Sequence, residues 1–189
     1  MNAKVWTTPN QLTLLRMCVV PFMAICVLEQ RFGWALGLLV FAGVSDGLDG
    51  LLARRLHQHT KLGEYLDPIA DKLMLSTMFL VLSVAHKIPW RYTVLVFSRD
   101  ATILAVAVVL YMTTQLDDFR PSIFGKINTI CQVGAIFFVL LWQVLPHPAV
   151  FMARRVLLYG VFGFTVASGL HYAFLTAQRL HAHQLNHAK

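Results

Sequence analysis

Residues 46–71 read DGLDGLLARRLHQHTKLGEYLDPIAD, and four of them are aspartates: Asp46, Asp49, Asp67 and Asp71. The whole chain of 189 residues carries nine acidic side chains, so this stretch concentrates the negative charge of an otherwise apolar protein. Carboxylates in apolar surroundings are costly unless a cation or a partner compensates them. On an α-helix, residues three or four apart share a face. Asp46, Asp49, Gly50 and Ala53 therefore form one stripe, and Gly63, Asp67 and Asp71 form another. The basic link between them is short, which makes the two helices antiparallel neighbours whose stripes can face each other around one cavity.

Working outward, 57% of the residues are hydrophobic and 13% charged, with a mean hydropathy of +0.62. A soluble domain carries about 25% charged residues. Long apolar stretches alternate with short polar links, the pattern of an all-α, polytopic membrane protein. Six transmembrane helices are expected at 10–29, 33–56, 62–86, 91–114, 122–145 and 153–178, within one membrane domain covering 1–189. The first apolar segment contains Pro21 and Cys26, lacks a small-residue cleavage site and is followed by further spans, so it reads as part of the protein rather than a cleaved signal. Residues 1–8, with Trp6, read as an interfacial lead, and the tail HAHQLNHAK, with His181, His183 and His187, as a solvated end.

The net charge of +7 is scattered over links and helix ends. In this setting Lys and Arg face anionic lipid headgroups, and nucleic acid is not an expected partner. Lys4, Arg54, Arg55, Lys61, Arg120, Lys126, Arg179 and Lys189 fall on one side if both termini are cytoplasmic. Arg31, Lys87, Arg91, Arg154 and Arg155 fall on the other. The bias favours a multi-pass protein with its aspartates on the cytoplasmic side. Cys18, Cys26 and Cys131 lie in apolar segments without metal-ligand spacing and read as small packing residues.

Four carboxylates cannot share a cavity in ionised form without cations. Hard oxygen donors select Mg²⁺, Mn²⁺ or Ca²⁺ rather than zinc, and four aspartates suffice for two ions. A metal pair suits phosphoryl transfer. Gly47, Gly50, Ala53 and Gly63 lack bulk and let a ligand approach the backbone; the competing reading is close helix packing. Structural ion pairing competes for the aspartates. Near them in sequence, only Arg54, Arg55, Lys61 and Lys72 are available to serve it.

Written as D46-xx-D49-G50-xx-A53-R54-x8-G63-xxx-D67-xxx-D71, the stretch resembles the signature of the CDP-alcohol phosphotransferases at every fixed position. Similarity extends to the opening P9-N10-Q11-L12-T13-L14-L15-R16, to F97-S98-R99-D100 and to G125-K126-I127-N128-T129-x-x-Q132, so it covers about residues 8 to 132. It implies a six-helix membrane enzyme, a homodimer, that moves a phosphoalcohol from a CDP-linked donor to an acceptor hydroxyl and releases CMP. It implies that Asp46, Asp49, Asp67 and Asp71 bind two divalent ions, Mg²⁺ or Mn²⁺. Asp71 is also the implied general base, and Gly50, Ala53, Arg54 and Gly63 the implied CDP site.

The branch resembled uses CDP-diacylglycerol with glycerol-based acceptors, which implies an anionic phospholipid product and a bacterial inner membrane. Glycerol-3-phosphate is the expected acceptor, because the glycerophosphate enzyme occurs more widely. Phosphatidylglycerol, the acceptor of cardiolipin synthase, is the alternative. Asn128 stands where bacterial glycerophosphate enzymes often carry a second Lys, and Asp100 where they carry Glu; both departures lean toward that alternative. Arg99, an Arg within a span, is expected to anchor an acceptor phosphate with Lys126; a structural Arg–carboxylate pair is the competing reading. Arg16 is expected at the interface, with a place in the same basic pocket as the alternative, and Asn10 and Thr13 as caps of the first helix, with a contact to the nucleotide as the alternative. A divalent-cation transporter is the alternative of another class, since intramembrane carboxylates also mark ion pathways.

Overall fold

A computed structural model describes the backbone of residues 8–56, 61–114 and 123–187, and the side chains of residues 14–47, 70–105 and 125–170. The chain order is α1 (Thr8–Leu28), α2 (Phe32–Leu56), α3 (Lys61–Val84), α4 (Trp90–Thr114), α5 (Ile123–Val144) and α6 (Pro148–His187). No strand occurs among the described residues. The all-α expectation holds, and the first five helices lie within a few residues of the expected spans. Two stretches, Gly125–Val144 and Pro148–Leu170, are long and apolar enough to cross a membrane; Leu14–Leu28 and Phe32–Gly47 are shorter apolar helices.

The sixth helix differs from expectation at both ends. It begins at Pro148 and continues to His187, so His181, His183 and His187 lie on the helix itself. The start has a local cause. Proline fits the first helical position, where its missing N–H costs nothing. His147 caps that turn, its Nδ1 accepting the Ala149 N–H at 3.3 Å and its carbonyl accepting the Phe151 N–H at 3.1 Å. At the far end, residues 170–187 contain neither proline nor glycine to stop the helix.

α1 and α3 end in the same way. Gln30 and His86 adopt left-handed backbones, with φ of 62° and 57°. At the first end, the Arg31 N–H reaches the Cys26 carbonyl at 2.8 Å and the Gln30 N–H reaches that of Val27 at 3.1 Å. At the second, Lys87 N–H reaches Leu82 at 2.8 Å and His86 N–H reaches Ser83 at 3.0 Å. Each end is thus a Schellman cap without the usual glycine.

The chain divides into two compact units, Met1–Pro89 with Ile136–Met152, and Trp90–Ala135 with Ala153–Lys189. In the first, α1 packs on both α2 and α3. Its core is built from Val20, Met23 and Val27 of α1, Ala35, Leu39 and Ala42 of α2, and Met74, Met78, Phe79 and Leu82 of α3. The two alanines let α1 and α2 approach closely. In the second unit, α5 and α6 run antiparallel. A Cβ on Gly134 would lie 3.2 Å from Leu157, and one on Gly160 would lie 3.3 Å from the Cys131 sulfur. Cys131 is thus a packing residue, as expected. Large apolar side chains, including Phe22, Trp34, Phe41, Leu104 and Leu170, point outward.

Candidate active site

The buried stripe of α1 is Arg16, Val20, Met23 and Val27, spaced by three or four residues. On α2, Asp46 continues the stripe of Ala35, Leu39 and Ala42 by one turn. On α3, Asp71 lies one turn before Met74 and Leu75. The helices alternate in direction, so the start of α1, the end of α2 and the start of α3 meet at one end of the unit. There the Arg16 guanidinium donates through Nη2 to Asp46 Oδ1 and through Nη1 to Asp71 Oδ1.

Arg16 is buried at 6% exposure, so its guanidinium faces the protein interior and the two carboxylates there. The structure brings Asp46 and Asp71 to one cation, Arg16 of α1, a compensating charge that lies outside the adjacent basic link. The two carboxylates are about half-exposed, at 53% and 46%. A planar guanidinium fork can serve two carboxylates at once, which an ammonium on a flexible stem does less well. The trio keeps one net negative charge. Two half-exposed carboxylates from separate helices, converging on one cationic group, are a donor set that fits a hard divalent ion. A Cβ on Gly47 would meet nothing within 4 Å, so among the described residues close helix packing does not account for that glycine.

α2 continues through Asp49, Gly50, Ala53 and Arg54, and α3 through Gly63 and Asp67, but their side chains lie outside the described residues. So do those of Asn10 and Thr13. Among the described residues no group of three or more His, Cys, Asp or Glu is placed to hold a metal.

The second unit carries a buried polar cluster. Arg99 on α4 is 9% exposed; its Nη1 donates to Asp100 Oδ1 at 2.6 Å and its Nε to Ser168 Oγ of α6 at 3.2 Å. Its carboxylate partner therefore comes from its own helix. Ser168 in turn donates to the Thr165 carbonyl at 3.3 Å, and the Thr165 hydroxyl donates to Asn128 Oδ1 of α5 at 3.1 Å. Asn128 and Gln132 are buried, yet Asn128 Nδ2 and Gln132 Nε2 have no hydrogen-bond partner among the described residues. Leaving a buried amide donor unpaired costs about 1–3 kcal/mol. Lys126 is exposed on α5. It is two positions from Asn128, a spacing that does not put the two side chains on one face.

Sequence reasoning missed Arg16 as the partner of the aspartates and the α5 amides as a set. The signal for Arg16 was the 16-20-23-27 spacing. It is masked because α1 is apolar nearly all round, so that no polar face marks the stripe that is buried.

A family model described as CDP-alcohol phosphatidyltransferase matches residues 6–167. The chain is 32% identical over 147 residues to human cardiolipin synthase (CMP-forming), covering 68% of this chain and 48% of the human protein. It is 31% identical over 177 residues to a putative cardiolipin synthase of Mycobacterium tuberculosis, covering 92% and 84%. It is 36% identical over 126 residues to the CDP-diacylglycerol--glycerol-3-phosphate 3-phosphatidyltransferase of Aquifex aeolicus, covering 65% and 68%. The chain spans about half the length of the human and rat relatives it matches. With the model match running over most of its length, the chain belongs to the CDP-alcohol phosphatidyltransferase family.

Proposed function

We propose that this protein is a metal-dependent phosphatidyltransferase. It would take CDP-diacylglycerol as donor and a glycerol-based alcohol as acceptor, make an anionic glycerophospholipid and release CMP. The observation that carries the reading is the convergence of Asp46 and Asp71, two signature aspartates, on the single guanidinium of Arg16. Asp46, Asp49, Asp67 and Asp71 would hold two divalent ions, Mg²⁺ or Mn²⁺, and Gly50, Ala53, Arg54 and Gly63 would bind the CDP group. When bound, the ions supply neutralising charge for the pyrophosphate and the departing CMP.

The acceptor's primary hydroxyl forms a bond to the phosphorus that carries diacylglycerol, and the bond from that phosphorus to CMP breaks. Asp71 receives the hydroxyl proton. Its carboxylate is oriented by Arg16 yet half-exposed, so an acceptor can reach it. Arg16 keeps Asp46 and Asp71 at a fixed separation. Arg99 and Lys126 would bind the acceptor phosphate.

Glycerol-3-phosphate is one acceptor reading, supported by the name of the Aquifex relative. Phosphatidylglycerol is the second, favoured by the cardiolipin synthase names of relatives that cover more of the chain.

The outward apolar side chains and the two long apolar stretches support a membrane protein. We extend this to six spans in one domain over 1–189, a homodimer, and a site open to the cytoplasmic face of a bacterial inner membrane.

The deciding assay supplies purified protein with CDP-diacylglycerol and, separately, each acceptor, and identifies the lipid product by mass. CMP release with a matching lipid product is expected. Divalent-ion flux in liposomes, with no CMP release, would overturn the enzyme reading in favour of a transporter.

A further inference from the structure

Arg16 holds oxygen atoms of the kind that a hard divalent ion requires. Its guanidinium bridges Asp46 Oδ1 on α2 and Asp71 Oδ1 on α3. An ionised carboxylate only accepts, and a guanidinium only donates. A donor seated on those two oxygens therefore occupies an approach that Mg²⁺ or Mn²⁺ would use for direct coordination.

Charge points the same way. Asp46, Asp49, Asp67 and Asp71 together carry four negative charges, which two divalent ions balance in full. A guanidinium kept beside those ions would be a like charge that no carboxylate of the set is left to offset, and like charges a few Å apart repel strongly away from bulk water. Exposure leaves the carboxylates accessible: Arg16 is 6% exposed, Asp46 53% and Asp71 46%. An ion arriving from solvent meets the carboxylates on their open side. The long aliphatic stem of an arginine can stay against apolar surface while its charged head moves.

We propose that Arg16 and a divalent ion are alternative occupants of the Asp46–Asp71 pair. Arg16 bridges the two carboxylates until an ion displaces it, and its charge sets how tightly the site holds metal. This rests on the reading of the signature aspartates as metal ligands, and it makes Arg16 a positioning residue whose hold on the pair is exchangeable. After the exchange Asp71 keeps its second oxygen, Oδ2, for the acceptor proton.

The test titrates Mn²⁺ into the full chain in detergent, without CDP-diacylglycerol, and reads free Mn²⁺ by electron paramagnetic resonance. Arg16→Gln removes the charge and keeps much of the length; Arg16→Lys keeps the charge. Arg16→Gln should bind Mn²⁺ more tightly than the wild type by at least about tenfold, the effect of removing a like charge at a partly screened site. Arg16→Lys should lie nearer the wild type. Asp46→Asn should weaken binding, which assigns the ion to this pair.

A bridge with a purely structural role predicts the opposite sign. Equal or weaker Mn²⁺ binding by Arg16→Gln overturns the exchange. A second measurement needs no variant: a structure of the wild type with Mn²⁺ located by its anomalous scattering. Arg16 should no longer bridge the pair there, and an ion on Asp46 and Asp71 with Arg16 still donating to both overturns the proposal. Failure of both wild type and Arg16→Gln to hold Mn²⁺ overturns the metal reading and the exchange with it. Absence of CMP release counts against the enzyme reading instead, and the Mn²⁺ comparison still decides the exchange.

Discussion

Arg16 on α1 is ion-paired with Asp71 on α3, 55 residues later in the chain, and with its other nitrogen holds Asp46 of α2. A single buried guanidinium thus ties together three helices at the end where Asp46 and Asp71 meet. It sets the spacing of two carboxylates that would otherwise repel each other.

Replacing Arg16 by Met should remove the cation that the two carboxylates share. The expected loss is about 2 kcal/mol, less than for a fully buried pair because the carboxylates are half-exposed. Thermal unfolding in EDTA measures it, and Mg²⁺ should recover more of the midpoint in the variant than in the wild type. Arg16→Lys should fall between, since one ammonium lacks the fork that reaches both oxygens. A variant as stable as wild type in EDTA would remove the structural role of the bridge.

Asp71→Asn should lower CMP release by about 10²–10⁴-fold, the range for loss of a general base. Asp46→Asn should reduce it as severely through loss of a metal ligand. Both proteins should still insert into membranes, because Asn is close in shape and Arg16 can still donate to its carbonyl oxygen. Near-normal CMP release by either variant would break the assignment of that residue.

Chelation should silence the enzyme. EDTA is expected to abolish CMP release, and Mg²⁺ or Mn²⁺ to restore it, as hard oxygen donors require. Full turnover after exhaustive chelation would exclude the metal-dependent reading.

Arg99→Ala should raise the KM for the acceptor about tenfold or more, the scale of one charge-assisted hydrogen bond. It should leave the KM for CDP-diacylglycerol near its wild-type value. Initial rates against each substrate separate the two. Movement of the donor KM alone would assign Arg99 elsewhere.

His86→Gly should stabilise the protein by about 1 kcal/mol, since His86 caps α3 in the left-handed region where a Cβ is strained. The thermal midpoint reads it out, and a drop would mean that the imidazole makes contacts worth more than the backbone strain.

Much of the fold could be read along the chain because its causes are local. Apolar runs interrupted at Gln30–Arg31, at His86–Pro89 and at Pro146–Pro148 mark the helix ends. The 46-49-50-53 and 63-67-71 spacings predict single faces for the aspartates, and the short link predicts α2 and α3 as neighbours. α6 was the exception. Its beginning depends on His147 acting as a cap, and its length on the absence of a stop rather than on any positive signal.

Sequence alone determined that four aspartates lie on two helices near one end of a hairpin, because helical periodicity and a short link act over a few residues. Only the tertiary structure decided what neutralises two of them. Arg16 lies on a helix apolar on nearly every side, so which stripe is buried depends on how α1 settles against α2 and α3. The same holds for Asn128 and Gln132. Their spacing put them on one face of α5, but the packing of α6 decided that Thr165 would satisfy the Asn128 oxygen, while both amide nitrogens are without a partner among the described residues. Long-range partners are chosen by packing geometry, which no local pattern in an apolar helix encodes.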